Sequence, residues 1–154
     1  ATVGRRRETI RARHGLEVLP RHGFDDAPTF DLYVVPGGVP AQPLADPVTL
    51  AHVEAAARDA ILTASVCTGA FVLARLGLLD GRRVTTHWED VADLRSFRPR
   101  TEVVEGVPFV DEGGIVTSAG ISAGIAMSLH LVGRILGVEA ARRTARQMQY
   151  DWAP

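Results

Sequence analysis

No lysine occurs anywhere in the 154 residues, and all 17 basic side chains are arginine. Schiff-base chemistry, pyridoxal-phosphate chemistry and the phosphate grip of a P-loop each need a lysine amine, so all three are excluded. Only one cysteine is present, Cys67, and an internal disulfide cannot form. No apolar run reaches the length of a membrane span and no secretory signal segment is visible, so a cytoplasmic setting without a membrane partner is expected. The five histidines, His14, His22, His52, His87 and His130, have no partner at zinc-ligand spacing, so no metal site is expected. Internal repeats, low-complexity tracts and linkers are also missing.

What is present fits one soluble domain over residues 1–154: 46% hydrophobic residues, 23% charged and a formal net charge of −1. Residues 1–13, ATVGRRRETIRAR, concentrate five arginines without interleaved aromatics. In a slightly acidic chain that run reads as a solvated loop, and no nucleic acid is expected to bind this domain.

Short β-branched or apolar runs bounded by Gly, Pro or Asp predict strands at 16–19, 32–35, 61–66, 84–86, 102–104, 109–110 and 115–117. Asp46 before Pro47 predicts a capped helix start, followed by Leu50, Val53 and Ala57 at helical spacing. Further helices are predicted over 68–78, stopped near Gly77, and over 88–97, ended by Pro99. An apolar stripe of Ile121, Ile125, Leu129, Val132 and Leu136, on a helix starting near Ala123, is widened by Met127, Leu131 and Ile135. Such a helix needs cover on more than one side, from a sheet or a subunit. The last helix repeats Val138, Ala141, Ala145, Met148 and Trp152, with Arg142, Arg143 and Arg146 turned outward. Strands alternating with helices predict an α/β sandwich with a mostly parallel sheet.

In such a fold the loops after the strands build the site, and Cys67 falls in one of them. Ser65-Val66-Cys67-Thr68-Gly69 has the small–x–nucleophile–x–small pattern of a nucleophile elbow, with sulfur as the nucleophile. A thiol at a helix start gains from the helix dipole and is expected to react near neutral pH. On this pattern alone, a small buried hydrophobe is an equal alternative. Asp31 to Val39, DLYVVPGGV, ends a strand in two glycines, Gly37 and Gly38, where a backbone amide can approach a ligand closely. That amide and the N–H of Thr68 are candidates for an oxyanion hole.

The ordered set VVPGG, SVCTGAFVLARLGLLDGRRVTTHWED and VTSAGISAGIAMSLHLVGRILG resembles the ThiJ/PfpI superfamily, related to class I glutamine amidotransferases, over nearly the whole chain. SVCTGAFVLA followed by TTHW is most similar to isonitrile hydratases and to the sensor domains of AraC-type regulators. Proteases and glyoxalase-type members commonly carry histidine directly after the cysteine, where this chain has Thr68. The resemblance implies a flavodoxin-like three-layer sandwich, a homodimer, a small-molecule substrate and no cofactor. It implies Cys67 as nucleophile and the amides of Gly38 and Thr68 as the oxyanion hole. Its favoured activity is that of a hydro-lyase, hydration of an isonitrile to an N-substituted formamide through a Cys67 thioimidate. The alternatives are a regulator's ligand-sensing domain, or an amidase, protease or deglycase using the same thiolate.

Two departures accompany the resemblance. Members begin with a strand and helix bearing an acidic residue that reaches the cysteine. This chain is expected to start after them, with that acid upstream of Ala1. Ala126 stands where relatives often carry aspartate. Among the remaining polar residues, His87 is expected to support the pocket more than to touch sulfur. Ser118, Gly120 and Ser122 are expected in a loop facing the pocket, the serines as helix caps. His130 is expected to be a satisfied core or interface group.

Overall fold

The computed structural model describes residues 1–154, and local chemistry accounts for most of its element boundaries. Strands β1 (Ile10–Arg11) and β2 (Glu17–Val18) pair as an antiparallel hairpin, closed by a 3-10 turn over Arg13–Gly15. Val3 also bridges to His22. The first residues are therefore not simply a solvated loop; β1 escapes sequence reading because Ile10 stands alone among arginines, with no alternation to mark a strand. Strand β3 (Leu32–Val35) leads into a short helix α1 (Ala41–Ala45), also unforeseen, since AQPLA holds too few residues to show a period and has Pro43 inside it. Helix α2 (Pro47–Asp59) starts as expected: Pro47 is its first residue, and the Asp46 carboxylate accepts from the Val48 N–H at 3.2 Å and the Thr49 hydroxyl at 2.6 Å.

Strand β4 (Leu62–Val66) runs into helix α3 (Gly69–Arg75), which ends where Gly77 turns left-handed at φ 74°. Next come β5 (Arg83–Val84), a 3-10 turn over Trp88–Asp90, α4 (Val91–Phe97), β6 (Glu102–Val103), β7 (Phe109–Asp111) and β8 (Ile115–Ser118). Helices α5 (Ser122–Leu136) and α6 (Val138–Gln147) close the chain order. Helix α6 stops before the Trp152 that the apolar stripe had included. Gln149 turns left-handed at φ 51°, its N–H donates to the Arg146 carbonyl and the Tyr150 N–H donates to that of Ala145. This is a Schellman stop with glutamine where glycine is usual.

The central sheet has the order β3-β4-β8-β7, with β3, β4 and β8 parallel and β7 antiparallel to β8. Strands β5 and β6 form a separate parallel pair. Side chains alternate across the sheet. On one face Val35 joins a core made by Val53 of α2, Ala70–Ala74 of α3, and Leu79, Val84, Val91, Leu94 and Val103. On the other, Leu62, Ala64 and Val116 pack on Met127 and Leu131 of α5, with α6 against α5. The result is a flavodoxin-like three-layer sandwich with a mainly parallel sheet. No helix is long and apolar enough to cross a membrane.

Candidate active site

Cys67 sits in the turn between β4 and α3 with φ 55°, left-handed for a residue that is not glycine. That conformation costs about 1–2 kcal/mol, and it persists because both sides of the residue are pinned. The Cys67 N–H donates to the Ser118 carbonyl at 3.1 Å, and the Thr86 hydroxyl donates to the Cys67 carbonyl at 2.9 Å. The small flanking residues have geometric reasons. A Cβ on Gly69 would lie 2.4 Å from the Val35 carbonyl oxygen, and one on Gly37 would lie 2.7 Å from Cys67 Cβ and 3.3 Å from its Sγ. The Pro36-Gly37 backbone therefore presses against the thiol side chain, and only glycine fits.

Cys67 opens into a cleft of about 640 Å³ whose walls include Gly37, Gly38, Thr68 and His87. Glu89, Asp90, Arg13 and His14 also line it. Gly38, expected to offer a free amide, does not: its N–H donates to Thr68 Oγ1 at 2.9 Å, and that hydroxyl donates back to the Gly38 carbonyl at 2.8 Å. The Thr68 N–H has no acceptor within the chain and is the one of the two expected oxyanion-hole amides left open. Thr68 is thus held both through its own position and through the Pro36-Gly37-Gly38 turn.

His87 reaches the cleft with both of its protonation states served at one nitrogen. Nδ1 lies 3.4 Å from the Glu89 N–H, and 3.6 Å from the carboxylates of both Glu89 and Asp90. A neutral ring accepts from the amide, while a protonated ring faces two carboxylates. Gly120 is not on the cleft wall; a Cβ there would lie 2.0 Å from His87 Cδ2, so it is the surface on which the imidazole rests. Ser118 and Ser122 are also off the wall. Neither caps α5: Ser118 ends β8 with its hydroxyl on the Ser65 carbonyl at 3.4 Å, and Ser122 is already the first helical residue, behind Ile121 as N-cap. A helical residue cannot reach its own helix's first amides as an N-cap does.

Glu89 and Asp90 were readable in principle, since WED follows TTH directly. Arg13 and His14 were not, because only the folded hairpin brings them to Cys67. Elsewhere, His130 is satisfied as expected. Its Nε2 meets Asp111 at 2.6 Å, its ring stacks on Phe109, and Arg134 joins the same carboxylate at 3.0 Å. Burial works to raise the Asp111 pKa, but the His130 and Gly113 hydrogen bonds and the Arg134 charge hold it below the usual carboxylate value. His52 stacks on Phe24 at 3.9 Å, and burial pushes its pKa down. No three His, Cys, Asp or Glu side chains stand together in a way that could hold a metal ion.

The sequence profile of the DJ-1/PfpI family matches residues 1–134. The chain belongs to that family. Among DJ-1/PfpI relatives, it is 36% identical over 145 residues to an isonitrile hydratase of Pseudomonas putida, covering 91% of this chain and 60% of that protein. It is 35% identical over 140 residues to the HTH-type transcriptional regulator GbdR of Pseudomonas aeruginosa, covering 91% of this chain and 38% of the regulator. The chain therefore spans less than two thirds of the length of either relative. A crystal structure of a ThiJ/PfpI family protein from Pseudomonas syringae superposes with a TM-score of 0.89 at 26% identity, over 99% of this chain and 63% of that one.

Proposed function

We propose that this DJ-1/PfpI domain is a cysteine-dependent enzyme that hydrates an isonitrile to an N-substituted formamide. The observation that carries the reading is Cys67 itself, held left-handed at the mouth of a cleft that also contains His87. The similarity to an isonitrile hydratase supports the substrate class. In the reaction, the Cys67 thiolate attacks the terminal carbon of R–N≡C while His87 delivers a proton to that carbon, giving the thioimidate R–N=CH–S–Cys67. Water then adds across the C=N bond, its hydroxyl to carbon and its second hydrogen to nitrogen. The C–S bond breaks as the carbonyl forms, the hydroxyl proton returns to His87, and the thiolate is regenerated. The open Thr68 N–H is available to negative charge developing on the oxygen of that tetrahedral adduct.

A second reading, the ligand-sensing half of a transcriptional regulator, is favoured by the similarity to GbdR and by the commitment of the Gly38 amide to Thr68, which leaves less stabilisation for turnover. The two separate on incubation with a simple alkyl isonitrile, following formamide by chromatography and adducts by intact mass. Formamide production that Cys67→Ala abolishes, and Cys67→Ser nearly abolishes, is the expected result. A Cys67 adduct without turnover would favour the sensor or a proton donor other than His87, and neither adduct nor product would sink the hydratase reading.

A further inference from the structure

The β1–β2 hairpin carries its tip to the Cys67 cleft in a strained form. His14 (φ 66°) and Gly15 (φ 90°) are consecutive left-handed residues, and the turn is closed by the Ala12 N–H to the Leu16 carbonyl at 2.7 Å and the Gly15 N–H to the Ala12 carbonyl at 3.1 Å. Below it, Arg11 pairs across the hairpin with Glu17 at 3.0 Å. Of the neighbouring arginines, Arg5 meets Asp46 at 3.1 Å and Arg6 lies 3.7 Å from Glu8, while Arg7 is unpaired but off the cleft. Arg13 has no carboxylate or carbonyl partner, and it lines the cleft. The acids on the same cleft, Glu89 and Asp90, face His87. Charge in the cleft is therefore uneven, with an unpaired guanidinium at the hairpin tip and two carboxylates at the His87 end, each 3.6 Å from Nδ1. An unpaired guanidinium presents a planar fork of donors that matches a carboxylate in shape and charge.

We infer that Arg13 is a specificity-determining residue: it receives a carboxylate on the ligand whose reacting end lies at Cys67. The inference deepens the functional reading above and rests on Cys67 as the reacting group, but not on the isonitrile. Within that reading the preferred substrates are isocyano acids, with the isonitrile carbon at the thiol and the carboxylate at the hairpin.

The test compares alkylation of Cys67 by iodoacetate and iodoacetamide, reagents of the same size that differ in charge. Relative to a small free thiol, the folded protein is expected to favour iodoacetate by about fivefold at low salt, an advantage that shrinks as salt screens the guanidinium. Arg13→Gln should return the ratio to that of the free thiol, Arg13→Lys should keep part of it, and Arg7→Gln, in the same segment but off the cleft, should leave it in place. A ratio indifferent to Arg13→Gln, with the variant's thermal melt unchanged, overturns the proposal, as does a Cys67 that reacts with neither reagent. Turnover of isocyanoacetate against ethyl isonitrile then separates the two claims. If neither is hydrated while the alkylation ratio still depends on Arg13, the hydratase reading fails and the anion site stands. If both are hydrated with equal kcat/KM in the original chain and in Arg13→Gln, the anion site fails and the hydratase stands.

Discussion

At the scale of single residues, the site is made by side chains that hold backbone. Thr86 is 1% exposed and its hydroxyl has one evident task, the carbonyl of Cys67. Thr86→Val keeps the volume and removes that bond, and should cost about 1–2 kcal/mol in denaturant unfolding. The same variant should slow iodoacetamide alkylation of Cys67, because the left-handed turn loses one of its three backbone hydrogen bonds, keeping those to Ser118 and from the Ala70 N–H. Unchanged alkylation would mean that the Ser118 carbonyl and the Ala70 N–H are enough to hold the elbow. Ser65 is the converse case: it is fully buried, and its hydroxyl has no hydrogen-bond partner. Ser65→Ala removes that unpaired group and should stabilise the fold by about 1 kcal/mol, read as a higher denaturation midpoint. The sequence pattern around Cys67 carries the small-residue requirement legibly, since Gly37 and Gly69 both abut other backbone. It does not carry the state of the Gly38 amide, because the hydroxyl that occupies it comes from a residue 30 positions away.

At the scale of elements, legibility follows length and local chemistry. Strand β3 is found over its whole span, and α2 with its cap, because an apolar run with sharp flanks or an Asp-Pro start needs no tertiary information. Strand β1 and helix α1 are missed because two and five residues hold too little pattern, and pairing or packing decides them. The end of α6 is missed for another reason, since a glutamine at φ 51° is chosen by hydrogen bonds that no propensity announces. Gln149→Gly relieves that conformation and should raise stability by about 0.5–1 kcal/mol. A lower thermal midpoint for the variant would mean that the Gln149 side chain contributes something the hydrogen bonds do not reveal. Helix α2 brings a pH effect through His52, whose Nε2 is buried without a partner while its ring stacks on Phe24. Its folded pKa lies below the ordinary 6.5 because burial disfavours the charged ring. Above 6.5 the ring is neutral in both states, and protonation makes no difference to stability there. As the pH falls through 6.5 the unfolded chain takes up a proton that the folded chain does not, so stability declines with acidification in that window. His52→Phe should flatten urea midpoints between pH 7 and 5, and an unchanged slope would argue against His52 as the source.

At the scale of the molecule, apolar surface is left open along α5 and α6. Ile121, Ile125, Ile135, Leu136, Val138 and Met148 are exposed, and a groove of about 410 Å³ runs between the two helices. Cover on more than one side, expected for α5 from its apolar girth, is supplied by the sheet and α6 only in part. A homodimer through this face is the expected state, and light scattering at micromolar concentration should return the mass of two chains. A mass of one chain, unchanged by Ile125→Glu, would count against it.

Strand β3 lies at the end of the sheet order, bonded to β4 alone, and its exposed Val34 stands within a β-branched run. Its outer N–H and C=O groups form a template that any extended segment can join, with little regard for side-chain identity. Pairing of this edge with β7, the other end of the sheet order, in a second copy would repeat from copy to copy instead of closing after two. Crowded preparations should gain β-structure by far-ultraviolet circular dichroism as they aggregate, whereas pairing through α5 leaves that spectrum unaltered. A charged residue in place of Val34 would blunt the edge, and the difference between the two routes would then be visible as solubility rather than as mass.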